Sequence, residues 1–169
     1  MWSTVRPSAN EHHEYYATYI GQVPDGDVLQ TIRSGIDLTV AHLANRPASF
    51  ADYRYAPGKW TIRELLAHIV DTERTFGFRA FWFARAGAGE LPSLEQGDFV
   101  AHSGAAARPL ESLIAEWHAV RAANLALFES MSDQAAARSG LASGRPFTAR
   151  ACAWIIAGHE IHHRNKHLK

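Results

Sequence analysis

A chain of 169 residues with 47% hydrophobic content is long enough for one domain with a substantial core. Its 17 basic and 17 acidic residues cancel, which excludes the electrostatic footprint of a nucleic-acid or anionic-membrane binder, and no apolar run approaches a membrane span. The N-terminus has no basic segment followed by an apolar block, and there is one cysteine, so no secretory signal and a cytoplasmic location are expected.

Residues 1–24 read as an N-terminal arm, and residues 25–169 as the domain proper. Within the arm, residues 11–20 are expected as a short helix carrying Tyr15, Tyr16 and Tyr19, and Val23-Pro24-Asp25-Gly26 reads as a turn. From 27 to 45, Val28, Ile32, Ile36, Thr39 and Leu43 recur at helical spacing, with Pro47 placed to stop the helix. An aromatic connection with Phe50, Tyr53 and Tyr55 ends in Pro57-Gly58-Lys59-Trp60. Thr61 followed by Glu64 is a capping box and starts a second helix that runs to about 85. Residues 87–108 form a long connection, of the kind that is often functional. Pro109 fits the first turn of a third helix with Leu113, Trp117, Val120 and Phe128 on its stripe. Residues 139–146 read as a Gly/Ser turn region, after which Thr148 caps a fourth helix to about 167. No strand alternation is visible, and four amphipathic helices define an all-α, four-helix bundle.

Ten histidines are many for this length, and what matters is which of them converge. His12, His13, His42 and His102 read as surface residues. The run Gly158-His159-Glu160-Ile161-His162-His163-Arg164 carries the chemistry. Positions four apart lie one above the other on a helix, so His159 and His163 share a face and supply half of a tetrahedral metal site. The spacing also matches H-E-x-x-H, in which Glu160 takes the place of a general base. Pairing of His159 with His162 is the other option, but i+4 aligns the rings better, and His162 is expected as a core histidine bonded across the bundle. Glu160 is expected toward the polar side of this helix. Only six residues follow His163, so a third ligand has to come from upstream, His167 being a poor substitute.

On the second helix His68 lies just off the edge of the apolar stripe, with Asp71 and Thr72 one turn on. Such a histidine is either a ligand or a half-buried side chain with one hydrogen bond. Glu73 falls mid-stripe, and Arg121 and Asn124 fall among apolar residues of the third helix. A buried carboxylate needs a partner, so these groups either line a shared cavity or form a Glu73–Arg121 ion pair. Cys152 reads as a small apolar residue. There is no G-x-S-x-G nucleophile elbow and no phosphate-binding loop.

The stretch Pro57-Gly58-Lys59-Trp60-Thr61-Ile62-Arg63-Glu64-Leu65-Leu66-Ala67-His68-Ile69-Val70-Asp71-Thr72-Glu73-Arg74 resembles the second-helix motif of the DinB-like superfamily, in particular its YfiT-like branch of metalloenzymes. The ending Ala157-Gly158-His159-Glu160-Ile161-His162-His163 resembles that branch's fourth-helix motif. The resemblance extends through Leu91-Pro92 and the Arg121 region and covers most of residues 25–168. It implies a bundle with up-down-down-up connectivity and a divalent metal held by His68, His159 and His163. It also implies a homodimer and a small-molecule substrate. Family members with assigned activities are thiol S-transferases using bacillithiol or mycothiol, and maleylpyruvate isomerase-type enzymes. The expectation is therefore a metal-dependent S-transferase with zinc or nickel and a low-molecular-weight thiol. A metal-dependent hydrolase and a non-catalytic metal-binding stress protein are the alternatives. In a hydrolase, Glu160 or Glu73 would take a proton. Residues 46–60, with Tyr53, Tyr55 and Trp60, and residues 87–108 are expected to wall the pocket.

Overall fold

Three of the four expected long helices start on a side chain that caps them, as the computed structural model of residues 1–168 shows. Asp27 accepts from the Leu29 amide ahead of α2 (Val28–Ala44), which follows a short α1 (Ala17–Ile20). Thr61 and Glu64 exchange both bonds of the capping box ahead of α3 (Ile62–Ala84). A short α4 (Gln96–His102) precedes α5 (Leu110–Glu129), which begins after Pro109 without a side-chain cap. A one-turn α6 (Asp133–Ala137) and a hairpin of β1 (Ser139–Ala142) and β2 (Arg145–Thr148) lead into α7 (Ala149–Lys166), whose cap is Thr148. The helix expected over 11–20 is split into a 3-10 turn, Glu14–Tyr16, and α1.

The hairpin corrects the expectation that strands are absent. Its strands are four residues long and contain Gly140 and Pro146, so no alternation shows in sequence. What makes it is the turn: Ser143 and Gly144 both have positive φ, 54° and 69°, as a two-residue hairpin loop of type I′ requires. The long connection folds back onto this hairpin, with Leu91 exchanging backbone bonds with Leu141 and Ser143.

Both α2 and α3 pack against α7 and against α5. Glu73 meets Arg121 and the Glu73 carbonyl meets Asn124, while Gly77 also lies against Asn124, so α3 and α5 run parallel. His68 meets His159 and His163, whereas Phe83 and Phe147 lie in the same cluster at the other end, so α3 and α7 are antiparallel. The result is the up-down-down-up bundle. Residues 85–109 form the crossover that lets α5 run parallel to α3.

Two apolar clusters fill the bundle. One gathers Ile32, Phe76, Phe83, Phe128, Phe147 and Trp154, and the other Leu43, Leu65, Leu66, Ile69, Leu113 and Trp117. Along α3 the first begins at Phe76 and the second ends at Val70, which leaves a polar layer between them. Residues 1–24 lie against this body: Trp2 is buried and donates to the Met131 carbonyl at 3.2 Å, and Glu11 pairs with Arg150. His12, His13 and His42 are not surface residues as expected. His12 is buried and bonded to the His13 carbonyl, and His13 and His42 are half-buried, while His102 is exposed. No helix among the described residues is long and apolar enough to cross a membrane.

Candidate metal centre

The packing of α3 on α7 brings His68, His159 and His163 together, all buried, with ligand atoms within 4.8 Å of one another. His68 Nε2 and His163 Nε2 each lie 3.0 Å from His159 Nε2. A neutral imidazole nitrogen carries either one N–H or one lone pair, so His159 Nε2 satisfies one such contact well and not two. Two nitrogens bound to a tetrahedral ion at 2.0–2.1 Å lie about 3.3 Å apart, so the donor set fits a shared divalent cation. Burial lowers all three ring pKa values. It takes His68 down to about 4 with His167 adding to it, and His163 to about 2 with His68 and His167 adding. His159 is lowered well below its ordinary value, by burial and then by His163 and His68. All three are therefore neutral near pH 7, the form in which imidazole ligates a metal.

Aromatic side chains fix the rings. Trp60 lies 4.8 Å from His68, centroid to centroid, and Tyr19 lies edge-on to His159 at 5.3 Å. Burial raises the Tyr19 phenol above its ordinary range. His167 is nearer the centre than expected. Its Nδ1 is 3.0 Å from Nδ1 of His163, on the side of the ring away from the triad, and Tyr55 packs on it at 4.6 Å. Glycine makes the close approach of α7 to α1 feasible: a Cβ on Gly158 would meet the Tyr19 carbonyl oxygen at 2.1 Å.

Two expectations for α7 are corrected. His162 is not a core residue; it is half-buried at the rim, 3.3 Å from Gln22 and packed edge-on to Tyr19. Glu160 is not on a polar side. It is 2% exposed, accepts from Thr39 Oγ1 and Arg121 Nη2, both at 2.8 Å, and touches Gly35 of α2. The reason is that α1, α2 and α3 all pack on α7, so that helix has little solvent side. Arg121 also donates to both oxygens of Glu73 at 2.7 and 2.8 Å, and Trp117 Nε1 donates to Glu73 at 2.7 Å. Of the two readings of these residues, the ion pair is the one found, with Glu160 as a further member. Burial works against the Arg121 charge, but Glu160 and Glu73 more than offset it and raise its pKa. Cys152 is fully buried, and burial pushes its thiol up to about 12, in keeping with a small apolar role.

Cavities open on both sides of the triad. One of about 260 Å³ lies beside His163 and is walled by Tyr55, Trp60, Leu65 and His167; Tyr53 is not among its walls. The other, about 150 Å³, reaches His159 and is walled by Tyr16, Tyr19, Thr72, Arg79 and residues 93–96. Both connections thus contribute. Arg79, Tyr19 and His167 were not expected here. For Arg79 the signal was present: positions 68, 72, 76 and 79 fall on one face of α3.

Three inward imidazoles from two antiparallel helices, in an up-down-down-up bundle, mark a class of metal-site bundles. The family model of the DinB superfamily matches residues 31–166, and the chain belongs to that superfamily. Among solved structures it is similar to YfiT from Bacillus subtilis, described as a probable metal-dependent hydrolase with an unusual four-helix bundle topology. The TM-score is 0.67 at 18% identity, covering 96% of this chain and 91% of that one. It is also similar to a mycothiol-dependent maleylpyruvate isomerase, with a TM-score of 0.69 at 18% identity over 86% of this chain; the match spans 61% of that protein. At these identities the likeness shows the shared fold. Among curated proteins, none matches the sequence.

Proposed function

We propose that the chain is a metal-dependent enzyme whose divalent cation, zinc or nickel, is held by His68, His159 and His163, and that it transfers a low-molecular-weight thiol of the bacillithiol or mycothiol kind to an electrophile. The observation that carries this is the convergence of three neutral, buried Nε2 atoms on one point, next to two cavities. Three protein ligands suit a catalytic rather than a closed structural site. A divalent cation held there supplies Lewis acidity, which favours the thiolate over the thiol near neutral pH.

The chain's own residues favour transfer over hydrolysis. Hydrolysis calls for a carboxylate free to accept a proton beside the reacting water. Glu73 and Glu160 are both committed to Arg121, and Glu160 projects toward α2 and α5 rather than toward His68. Tyr55, Trp60 and Leu65 give the cavity beside His163 an aromatic and apolar wall. His167 holds His163 from its outer nitrogen. Hydrolysis is the second reading, supported by the fold shared with YfiT.

The test is metal content by mass spectrometry of the purified tagless protein beside His68→Ala and His163→Ala. The expected result is about one transition-metal ion per chain in wild type and loss in both variants. Wild type that stays metal-free after incubation with zinc or nickel refutes the reading. With metal established, products formed from an electrophile and each thiol separate transfer, which retains the sulfur, from hydrolysis, which does not.

A further inference from the structure

Among the described residues two arginines are buried, Arg79 and Arg121, each 3% exposed. Arg121 is matched by two carboxylates. Arg79 is matched by none: no carboxylate of the described residues lies within 4.0 Å of it. Its guanidinium carbon sits 5.0 Å from the Phe76 ring centroid and 5.5 Å from that of Phe147. Nη2 donates to the Pro92 carbonyl at 2.9 Å and to Ser143 Oγ at 3.2 Å, while Nε is buried with no acceptor. A buried charge without a counter-ion is costly. Arg79 is thus a buried cation with no carboxylate partner among the described residues.

A second group points the same way. Thr72 is 4% exposed, and its Oγ1 is buried with no partner. Arg79, Thr72 and His159 wall the same cavity of about 150 Å³. Glu95 stands at its rim but is exposed and makes no pair with Arg79. On α3 the Cα of Arg79 is about 16 Å along the axis from that of His68, and helical side chains lean back toward the N-terminus, which turns the guanidinium toward the triad. A cavity of this size holds a molecule of about six heavy atoms.

We infer that the substrate of this site is a short organic acid whose carboxylate pairs with Arg79 and accepts the Thr72 hydroxyl, its reacting end facing His159. Only the last clause rests on the triad being the reaction centre; the Arg79 pocket stands without it. A planar carboxylate fits a guanidinium that is flanked by two phenyl rings and whose Nε–H, like the Thr72 hydroxyl, has no partner. A phosphate dianion carries more charge than one cation can match.

The test uses butyrate, butyramide and inorganic phosphate as probes, with the Arg79 Nε–H resonance followed by ¹H–¹⁵N NMR. It is run on zinc-loaded and on chelator-treated protein of known metal content. Butyrate should shift the resonance saturably and butyramide should not. Arg79→Gln should weaken butyrate at least about tenfold and Thr72→Val about threefold. A response to butyramide equal to that to butyrate, tighter binding of phosphate than of butyrate, or unchanged butyrate affinity in Arg79→Gln overturns the inference. Should Arg79→Gln fail to fold, Arg79→Lys and Thr72→Val carry the test, and both must weaken butyrate. Butyrate binding by a protein that takes up no metal upholds the Arg79 pocket and removes the metal reading; metal uptake with no butyrate response does the reverse.

Discussion

Replacing Arg121 by Met takes from two buried carboxylates the cation they share. Arg121 donates through Nε and Nη2 to Glu73, through Nη2 to Glu160 and through Nη1 to the Ile32 carbonyl, and so ties α5 to α3, α7 and α2. After the substitution Glu73 keeps the Trp117 indole and Glu160 keeps the Thr39 hydroxyl. Arg164, 3.5 Å from Glu160, is the one cation left, and Glu73 has none. Breaking a buried pair in this way is worth about 3–5 kcal/mol. At about 2–4 °C per kcal/mol for a domain of this size, the midpoint of thermal unfolding should fall by roughly 6–20 °C. Urea unfolding at pH 7 measures the loss directly, and the slope with denaturant should hold, since the surface exposed is unchanged. Adding Glu73→Gln and Glu160→Gln to the Arg121→Met chain removes the stranded anions and should recover most of the loss. A loss below about 1 kcal/mol for Arg121→Met alone, the range of a surface substitution, refutes the reasoning.

Three further outcomes follow from particular contacts. His167→Phe removes the partner of the outer His163 nitrogen, and zinc affinity by chelator competition should drop about 10–100-fold with the metal-free stability nearly unchanged. Burial would raise the Glu11 carboxyl, but Arg150, Ser8 and Thr148 outweigh it and hold the pKa at about 2 against an ordinary 4.5. A folded-state pKa below the unfolded one gives stability that is present above 4.5 and lost as pH falls through about 2. The gap in urea midpoint between wild type and Glu11→Gln should therefore shrink on acidification through that window; a constant gap contradicts it. Gly158→Ala sets a Cβ 2.1 Å from the Tyr19 carbonyl oxygen, a backbone atom that yields only if α1 lifts. The expected result is a loss of about 1–3 kcal/mol with faster amide exchange over residues 17–20, and normal exchange there sinks the idea.

The four long helices were legible because each carries an apolar stripe, and three of them begin on a capping side chain. Asp27, Thr61 and Thr148 stand where the structure places them as caps, with apolar periodicity behind them. The hairpin was not legible, since Ser143-Gly144 is a good turn but its flanks are too short and too rich in Gly and Pro to alternate. Within the site, the His159 and His163 pair follows from spacing on one helix alone. His68 does not, because which side of α3 meets α7 is a tertiary fact; only resemblance pointed to it. Glu160 was misplaced for a physical reason. A helical wheel assigns a polar side to any helix, and α7 is instead wrapped by α1, α2 and α3.

That misplacement explains what Glu160 does. It follows His159 directly, and one residue turns a helix by about 100°. When Glu160 faces Arg121 and Thr39, His159 and His163 necessarily face α3. The buried ion network thus fixes the rotation of α7 about its own axis, and with it the direction of two of the three imidazoles. The same Arg121 fixes α3 through Glu73, five residues and about one and a half turns from His68. Both halves of the triad are then registered against one side chain on a third helix, which itself contributes nothing to the site. The H-E-x-x-H spacing in this bundle thus ties the geometry of the histidines to a glutamate that is engaged by Arg121 and Thr39.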